Sequence, residues 1–294
     1  MGAIGFYLFY SINWVVTLLP LRVLYLFSDL LFPVFYHVVR YRRTVVATNL
    51  RNAFPEKSEN ERKTIEKKFY HHLCDLIFET LKLVHLGTEQ HKRRLSYSNP
   101  ELLDRLYDEG RNVVAISGHY GNWEWTNIFP LYNKFINVQI YKPLQNKYFD
   151  GFFNNLRTKY GLCPVPMSNI VREIINNRKN NRQAIYGFMS DQTPPRGEIK
   201  FWTTFLNQDT PVYLGAEKIS VKYDMAVVFA NIQKTGRGFY TLTFEVMFEH
   251  TSGLPEHLIT QTHVKRLEEI IRNKPEYWLW SHRRWKYKRE KAND

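Results

Sequence analysis

From residue 99 onward the chain alternates helical with extended patterning, and this alternation constrains the fold more than any other feature. Helical spacing of apolar residues covers 101–109, 123–132, 147–160 and 168–178, whereas short apolar runs at 112–117, 137–141 and 183–189 read as strands. Strands joined through helices pair in parallel, because the connection must carry the chain back to the end of the sheet from which it started. The expected fold class is therefore α/β, with a mainly parallel central sheet flanked by helices. Two later strands, 226–232 and 239–247, flank a Gly236-Arg237-Gly238 turn and predict an antiparallel hairpin at the sheet edge, followed by a helix over 255–273.

Ahead of this region lie two apolar stretches separated by Arg22. Residues 4–20 carry no formal charge, and 23–39 carry only Asp29. Each is near the lower limit for a spanning helix, about 20 residues. The first stretch crosses a membrane alone, both form a hairpin that dips in and returns, or both are a buried hairpin; the pattern admits all three. No basic region precedes the apolar run and no small-residue cleavage pattern succeeds it, which argues against a cleaved signal peptide. Arg40, Arg42 and Arg43 come next, and the positive-inside rule places the remainder of the chain on the cytoplasmic side. Residues 1–40 thus read as an N-terminal membrane-associated helical segment and 41–294 as the main domain.

A long amphipathic helix is expected over 59–86, with Ile65, Phe69, Leu73, Leu76, Ile77, Leu81 and Val84 on its inner face. His71 and His72 are adjacent and diverge around that helix, so they make poor co-ligands. Cys74 and Cys163 are isolated, which excludes a disulfide framework or a cysteine zinc site; Cys163, in an apolar stretch, is expected to pack as a small hydrophobe.

Charge narrows the partners. Lys and Arg number 41 against 28 Asp and Glu, a net +13, which favours an anionic partner. Aromatic residues make up 16% of the chain, and rings interleaved with basic residues suit a membrane interface. The C-terminal run from Arg283 to Arg289 also has the interleaving that binds single-stranded nucleic acid, but the apolar N-terminus makes a membrane surface the better partner, and no nucleic acid is expected. Phe201, Trp202 and Phe205 fit an acyl channel, a membrane interface or an aromatic core equally well.

The chemistry concentrates where the strand over 112–117 ends. His119 comes directly after Ser117-Gly118, and Glu124 stands five residues beyond it. In a regular helix residues five apart point about 140° away from each other, so the pair meets only if His119 precedes the helix. Gly118 and Gly121 relax the turn enough to allow that. Glu124 then holds one ring nitrogen and leaves the other free as a general base, at the strand end where sheets of this kind bind ligands. There is no glycine-rich phosphate loop and no set of metal ligands, so neither cofactor nor metal is expected.

The segment from Ser117 to Glu124, Ser-Gly-His-Tyr-Gly-Asn-Trp-Glu, resembles the His-x4-Asp/Glu signature of the glycerolipid acyltransferase superfamily. Its Glu form is similar to that of the late acyltransferases of lipid A biosynthesis. Tyr41-Arg42-Arg43 with Asn49-Leu50 and Ala53-Phe54-Pro55, Tyr141-Lys142-Pro143, Arg157, Ser190-Asp191-Gln192 and the run from Trp278 to Trp285 match the same branch. The resemblance implies a glycerolipid acyltransferase-like fold over 41–294, and acyl transfer from a thioester, usually on acyl carrier protein, to a hydroxyl of a lipid A precursor. It also implies the bacterial inner membrane, with the catalytic domain on the cytoplasmic side.

Carried over residue by residue, His119 is the general base and Glu124 stabilises its imidazolium. Arg157 clamps an anionic part of a substrate, and Asp191 orients Arg157 or another basic group. The thiolate leaves readily, so no covalent intermediate is needed and Ser117 is a turn residue. Lys142 stands at the substrate side where many relatives have Arg, which keeps the charge but loses the bidentate fork. Lys142 and the aromatic loop 193–205 depart from the family pattern and leave the acceptor open. A lysophospholipid or aminolipid is the alternative, and a non-enzymatic basic protein bound to membrane or nucleic acid is the remote one.

Overall fold

Val113–Ser117 is the central strand, and its apolar run is explained by burial on both faces. Val113 and Ala115 join Leu103, Trp125 and Phe129 on one side, while Val114 and Ile116 join Ile174, Tyr186 and Ile259 on the other. Burying each Val or Ile side chain stabilises the fold by roughly 1.5–3 kcal/mol, so a strand clad on both faces has no position left for polar alternation.

The computed structural model describes residues 2–289. In chain order the elements are α1 (Ala3–Val16), α2 (Leu21–Pro33) prolonged by a π-helical turn (Val34–Val38), α3 (Arg43–Ala53), α4 (Glu59–Lys82), α5 (Thr88–Lys92), β1 (Leu95–Tyr97), α6 (Pro100–Asp108), β2 (Val113–Ser117), a 3-10 segment (Trp123–Tyr132), β3 (Ile136–Tyr141) and α7 (Lys147–Thr158). They continue with β4 (Cys163–Pro166), α8 (Ile170–Lys179), β5 (Ala184–Met189), β6 (Phe201–Phe205), β7 (Gln208–Val212), α9 (Gly215–Tyr223), β8 (Ala226–Gly236), β9 (Phe239–Phe248) and α10 (Leu258–Asn273).

Seven strands form the main sheet in the order β1-β9-β8-β2-β5-β3-β4. All neighbours pair in parallel except β8 with β9, so the predicted α/β class with a mainly parallel sheet is what the chain forms. β5 lies between β2 and β3, although it comes after both in sequence. That insertion sets the loops after β2 and β5 side by side.

The structure corrects the expectations from sequence at several points. The hairpin β8–β9 is not at the sheet edge, because β8 lies against β2 and the three-residue strand β1 covers β9. β1 is too short to leave a periodic signal. Residues 123–132 wind as a 3-10 segment, in keeping with Pro130, which lacks the N–H that an α-helix needs there. Cys163 is exposed on the edge strand β4 rather than packed inside.

The stretch read as an aromatic loop, 193–205, ends in β6, the first strand of the separate hairpin β6–β7. Its two-residue turn places Leu206 and Asn207 at φ 50° and 61°, the left-handed pair that tight hairpins require. Leu206 is nonetheless buried, and its N–H donates to Glu268 Oε2 at 2.8 Å. Phe205 stacks on Trp285 and meets Trp278 edge-on, so this ring belongs to the core. The C-terminal basic run is likewise partly interior: Arg284 is 1% exposed, and the Trp285 indole donates to Thr210.

The two N-terminal helices lie against the body. α1 buries Phe6 and Asn13 inward, and α2 buries Leu21, Leu24, Tyr25 and Ser28. Lys82 Nζ donates to the carbonyls of Thr17 and Leu19 at 2.6 and 2.9 Å, which ties the bend between them to α4. Their outer faces are apolar and exposed, with Leu8, Leu30 and Val38 at 62%, 67% and 76%. The segment Leu21–Val38 is long and apolar enough to cross a membrane.

Candidate active site

β2 and β5 pair in register, with Ser117 opposite Met189. His119 and Asp191 each lie two residues beyond that pair, and the ladder delivers them to the same place. His119 Nδ1 is 2.6 Å from Asp191 Oδ1, and the His119 backbone N–H donates to Asp191 Oδ2 at 2.8 Å. The Trp278 indole donates to the same Oδ2 at 2.8 Å. Three donors thus surround one buried carboxylate.

Burial alone would raise the Asp191 carboxyl. The positive charge on His119, together with hydrogen bonds from its ring, its backbone N–H and the Trp278 indole, outweighs burial and holds the group at about 2. His263 and His282, in the same neighbourhood, are pushed down to about 4 chiefly by burial, so at neutral pH they are uncharged and His119 is the imidazole that faces the carboxylate.

An ionised Asp191 favours, in a neutral His119 ring, the tautomer that carries its proton on Nδ1 and leaves Nε2 as the lone pair. The Gln192 side-chain nitrogen lies 3.2 Å from Nε2, in the sense of a donor to an unprotonated nitrogen. The Trp123 ring meets the imidazole edge-on at 5.0 Å, and the side chain of His119 is 17% exposed, so the ring is fixed yet reachable.

The turn after β2 meets the condition set by the sequence, since His119 precedes the helical segment that begins at Trp123. The expected bond does not form, however. Glu124 is not the group on the ring: Asp191 occupies Nδ1, and Glu124 instead takes a two-pronged bond from Arg157, Nε to Oε2 at 3.2 Å and Nη2 to Oε1 at 2.7 Å. Arg157 comes from the last turn of α7 and also packs near the rings of Tyr141 and Phe153. Asp191 bonds the ring and backbone of His119, while Arg157 bonds Glu124. Lys142 lies just past the end of β3 and is exposed.

Both glycines of the turn have a steric reason. A Cβ on Gly118 would stand 2.9 Å from the Leu267 methyls and 3.3 Å from Asp191 Oδ2. Gly121 has φ +63°, and a Cβ there would meet Ile232 at 3.0 Å. Close approach is required there by the protein's own β8 and α10.

An apolar cavity of about 80 Å³ lies on the same face of the sheet, lined by Ser117, Trp123, Phe129, Val138, Gly187 and Met189 among others. Trp123 is shared by the cavity wall and the imidazole. The roles of Trp278 and Gln192 were not read from the sequence, although both lie in segments that it singled out. The usable signal was positional: Asp191-Gln192 stands beyond β5 at the same distance as His119 stands beyond β2.

The sequence profile described as bacterial lipid A biosynthesis acyltransferase matches residues 2–287. Among curated proteins, the lipid A biosynthesis acyltransferase 2 of Shigella flexneri is 20% identical over 245 residues, 82% of this chain and 76% of that protein.

Proposed function

Because the chain belongs to the bacterial lipid A biosynthesis acyltransferases, and is thus an acyltransferase with a lipid acceptor, we propose that it moves a fatty acyl chain from an acyl carrier protein thioester to a hydroxyl of a lipid A precursor, with His119 as general base. The observation that carries the reading is the His119–Asp191 pair, which leaves Nε2 as a lone-pair acceptor beside an apolar cavity.

In the proposed step the acceptor hydroxyl displaces the Gln192 amide from Nε2 and gives its proton to the ring as its oxygen attacks the thioester carbonyl. The C–S bond breaks, and the imidazolium returns the proton to the departing thiolate. Asp191 stabilises the imidazolium and keeps Nδ1 protonated throughout, the part that a buried carboxylate plays in other base–orienter pairs. The acyl chain runs into the cavity beneath Trp123. Glu124 and Arg157 act together beside the base, Arg157 held in place to meet an anionic part of a substrate and Lys142 meeting one further out.

Residues 1–40 attach the 41–294 domain to the cytoplasmic face of the inner membrane. The polar bonds of α2 to the body, with Tyr25 and Ser28 donating and Asp29 accepting from Arg237, support a hairpin lying along the membrane with its outer face in the lipid, rather than a helix that crosses it.

The test is ester formation by the purified full-length protein from an acyl carrier protein thioester and a lipid A precursor, together with mass spectrometry of lipids from cells lacking it. Loss of one acyl chain from lipid A, and loss of transfer in His119→Ala, is the expected result. An unchanged lipid A with an altered lysophospholipid or aminolipid product would move the acceptor elsewhere, and full activity in His119→Ala would overturn the base.

A further inference from the structure

The turn that carries His119 and Glu124 is held from two sides. On the His119 side, the Leu279 N–H donates to the His119 carbonyl and the Gly121 N–H to the Tyr277 carbonyl, both at 3.1 Å. On the Glu124 side the holder is Glu79, a completely buried carboxylate of α4 that takes no part in the proposed acyl transfer.

Glu79 Oε2 accepts from Asn122 Nδ2 at 2.7 Å and from the Tyr240 hydroxyl at 2.8 Å. Its backbone carbonyl accepts from the Trp125 indole at 3.0 Å. Asn122 in turn caps the 3-10 segment, its Oδ1 accepting from the Trp125 N–H at 3.3 Å. Glu79 therefore grips both residues that flank Trp123-Glu124. Its remaining oxygen, Oε1, accepts from the Tyr25 hydroxyl at 2.9 Å, and Tyr25 belongs to α2.

A carboxyl in this position is costly. Burial raises its pKa, opposed by the Lys234 charge and by the bonds from Tyr240 and Asn122. An apolar side chain would fill the space without that cost, but it could not direct Asn122 or receive Tyr25. The arrangement is informative because the two ends of the relay are different in kind: Asn122 is within the catalytic turn, and Tyr25 is on the apolar hairpin whose outer face is exposed.

We propose that Glu79 is a positioning residue that fixes the Asn122–Trp125 half of the catalytic turn through Tyr25 of α2, so that the N-terminal hairpin is part of the working active site as well as its attachment. Seating the hairpin on the body sets Tyr25, Tyr25 sets Glu79, and Glu79 sets the turn. Ser28, one turn further along α2, supplies an internal control, since its hydroxyl donates to Asp75 of α4 at 2.8 Å and Asp75 has no bond to the turn.

The test compares Tyr25→Phe, Ser28→Ala, Asn122→Ala and the double variant Tyr25→Phe/Asn122→Ala in full-length protein in detergent micelles, reading kcat, KM for both substrates and the unfolding temperature. Tyr25→Phe is expected to lower kcat about 10-fold with KM near that of the parent, the scale that a small misplacement of reacting groups produces, and to lower the unfolding temperature about as much as Ser28→Ala, since each removes one donor from a buried carboxylate. Ser28→Ala should leave kcat within about 2-fold, and the double variant should be no slower than the slower single variant, because both ends act through one carboxylate. An unchanged kcat in Tyr25→Phe, an equal loss in Ser28→Ala, or additive losses in the double variant would each overturn the relay. The inference rests on His119 as the base, and His119→Ala run alongside separates the two: activity there sinks the base reading, whereas the relay is decided by the Tyr25 and Ser28 comparison.

Discussion

Replacing Asp191 with Asn distinguishes the arrangement seen in the structure from the pairing that the His-x4-Glu spacing suggests. The wild-type carboxylate receives three donors, the His119 ring N–H, the His119 backbone N–H and the Trp278 indole. An amide cannot satisfy all three. If its oxygen takes the place of Oδ2, it keeps the backbone and indole bonds and turns its NH2 toward Nδ1, which must then give up its proton to Nε2. If the amide is reversed, two buried donors face an NH2, at a cost of about 1–3 kcal/mol for each unsatisfied group. The first orientation wins, and it leaves the catalytic nitrogen protonated.

Loss of the orienting carboxylate with the wrong tautomer costs about 10⁴-fold in a serine protease triad. A fall in kcat of about 10³ to 10⁴ is expected here, equivalent to about 4–5.5 kcal/mol at 1.36 kcal/mol per tenfold. The assay is ester formation from the acyl thioester at neutral pH, with an unfolding scan to show that the variant is folded. Retention of activity within about 3-fold in Asp191→Asn, together with loss in Glu124→Gln through a changed pH profile, would refute the reasoning and restore Glu124 as the orienter.

The Asp191 carboxyl also predicts an acid limit. Its folded pKa is depressed to about 2 from 3.8. Its contribution to stability is therefore complete above about pH 4 and is lost as the pH falls through about 2, worth on the order of 2 kcal/mol from the size of the shift; an acid titration of unfolding should show the wild type losing that stability across this window while Asp191→Asn shows no such step, the gap between the two staying constant above it. Gly118→Ala places a methyl against Leu267 and Asp191 and should lower both stability, by about 1–3 kcal/mol, and kcat, with Leu267→Ala restoring part of the loss. Gly187→Leu fills the cavity without a backbone clash, since only the Val138 carbonyl is near at 3.6 Å; product mass spectra should shift to shorter acyl chains, and an unchanged chain length would move the acyl site away from this cavity. If exposed apolar residues of α1 and α2 rather than ion pairs make the proposed attachment, high salt should leave the protein on membranes while detergent releases it; release by salt alone would refute that.

Much of this protein is local and therefore legible in its sequence. Val113 to Ser117 reads as a buried strand because side chains clad on both faces leave a continuous apolar run, and the helices around it read from spacing of three and four. That His119 stands ahead of a helical segment is signalled by Gly118 and Gly121, whose small size is demanded at the turn itself. The spacing of five to Glu124 is visible in the same stretch, and so are the apolar N-terminus and the basic residues after it.

The sequence does not contain which strand lies beside which. Asp191 is 72 residues from His119, and nothing in either segment announces the other. They meet because β5 inserts between β2 and β3 and pairs with β2 in a register that sets Ser117 against Met189. The same holds for Trp278, Glu79 and Tyr25, each brought to the turn by packing between distant elements. A hydrogen bond is decided within about 3 Å, whereas periodicity reports only which face of an element is apolar. The sequence by itself determined the strand, the turn and the place of His119 ahead of the helical segment. Only the tertiary structure decided that Asp191, not Glu124, holds the ring, because that choice depends on strand order and register, which are properties of the assembled sheet.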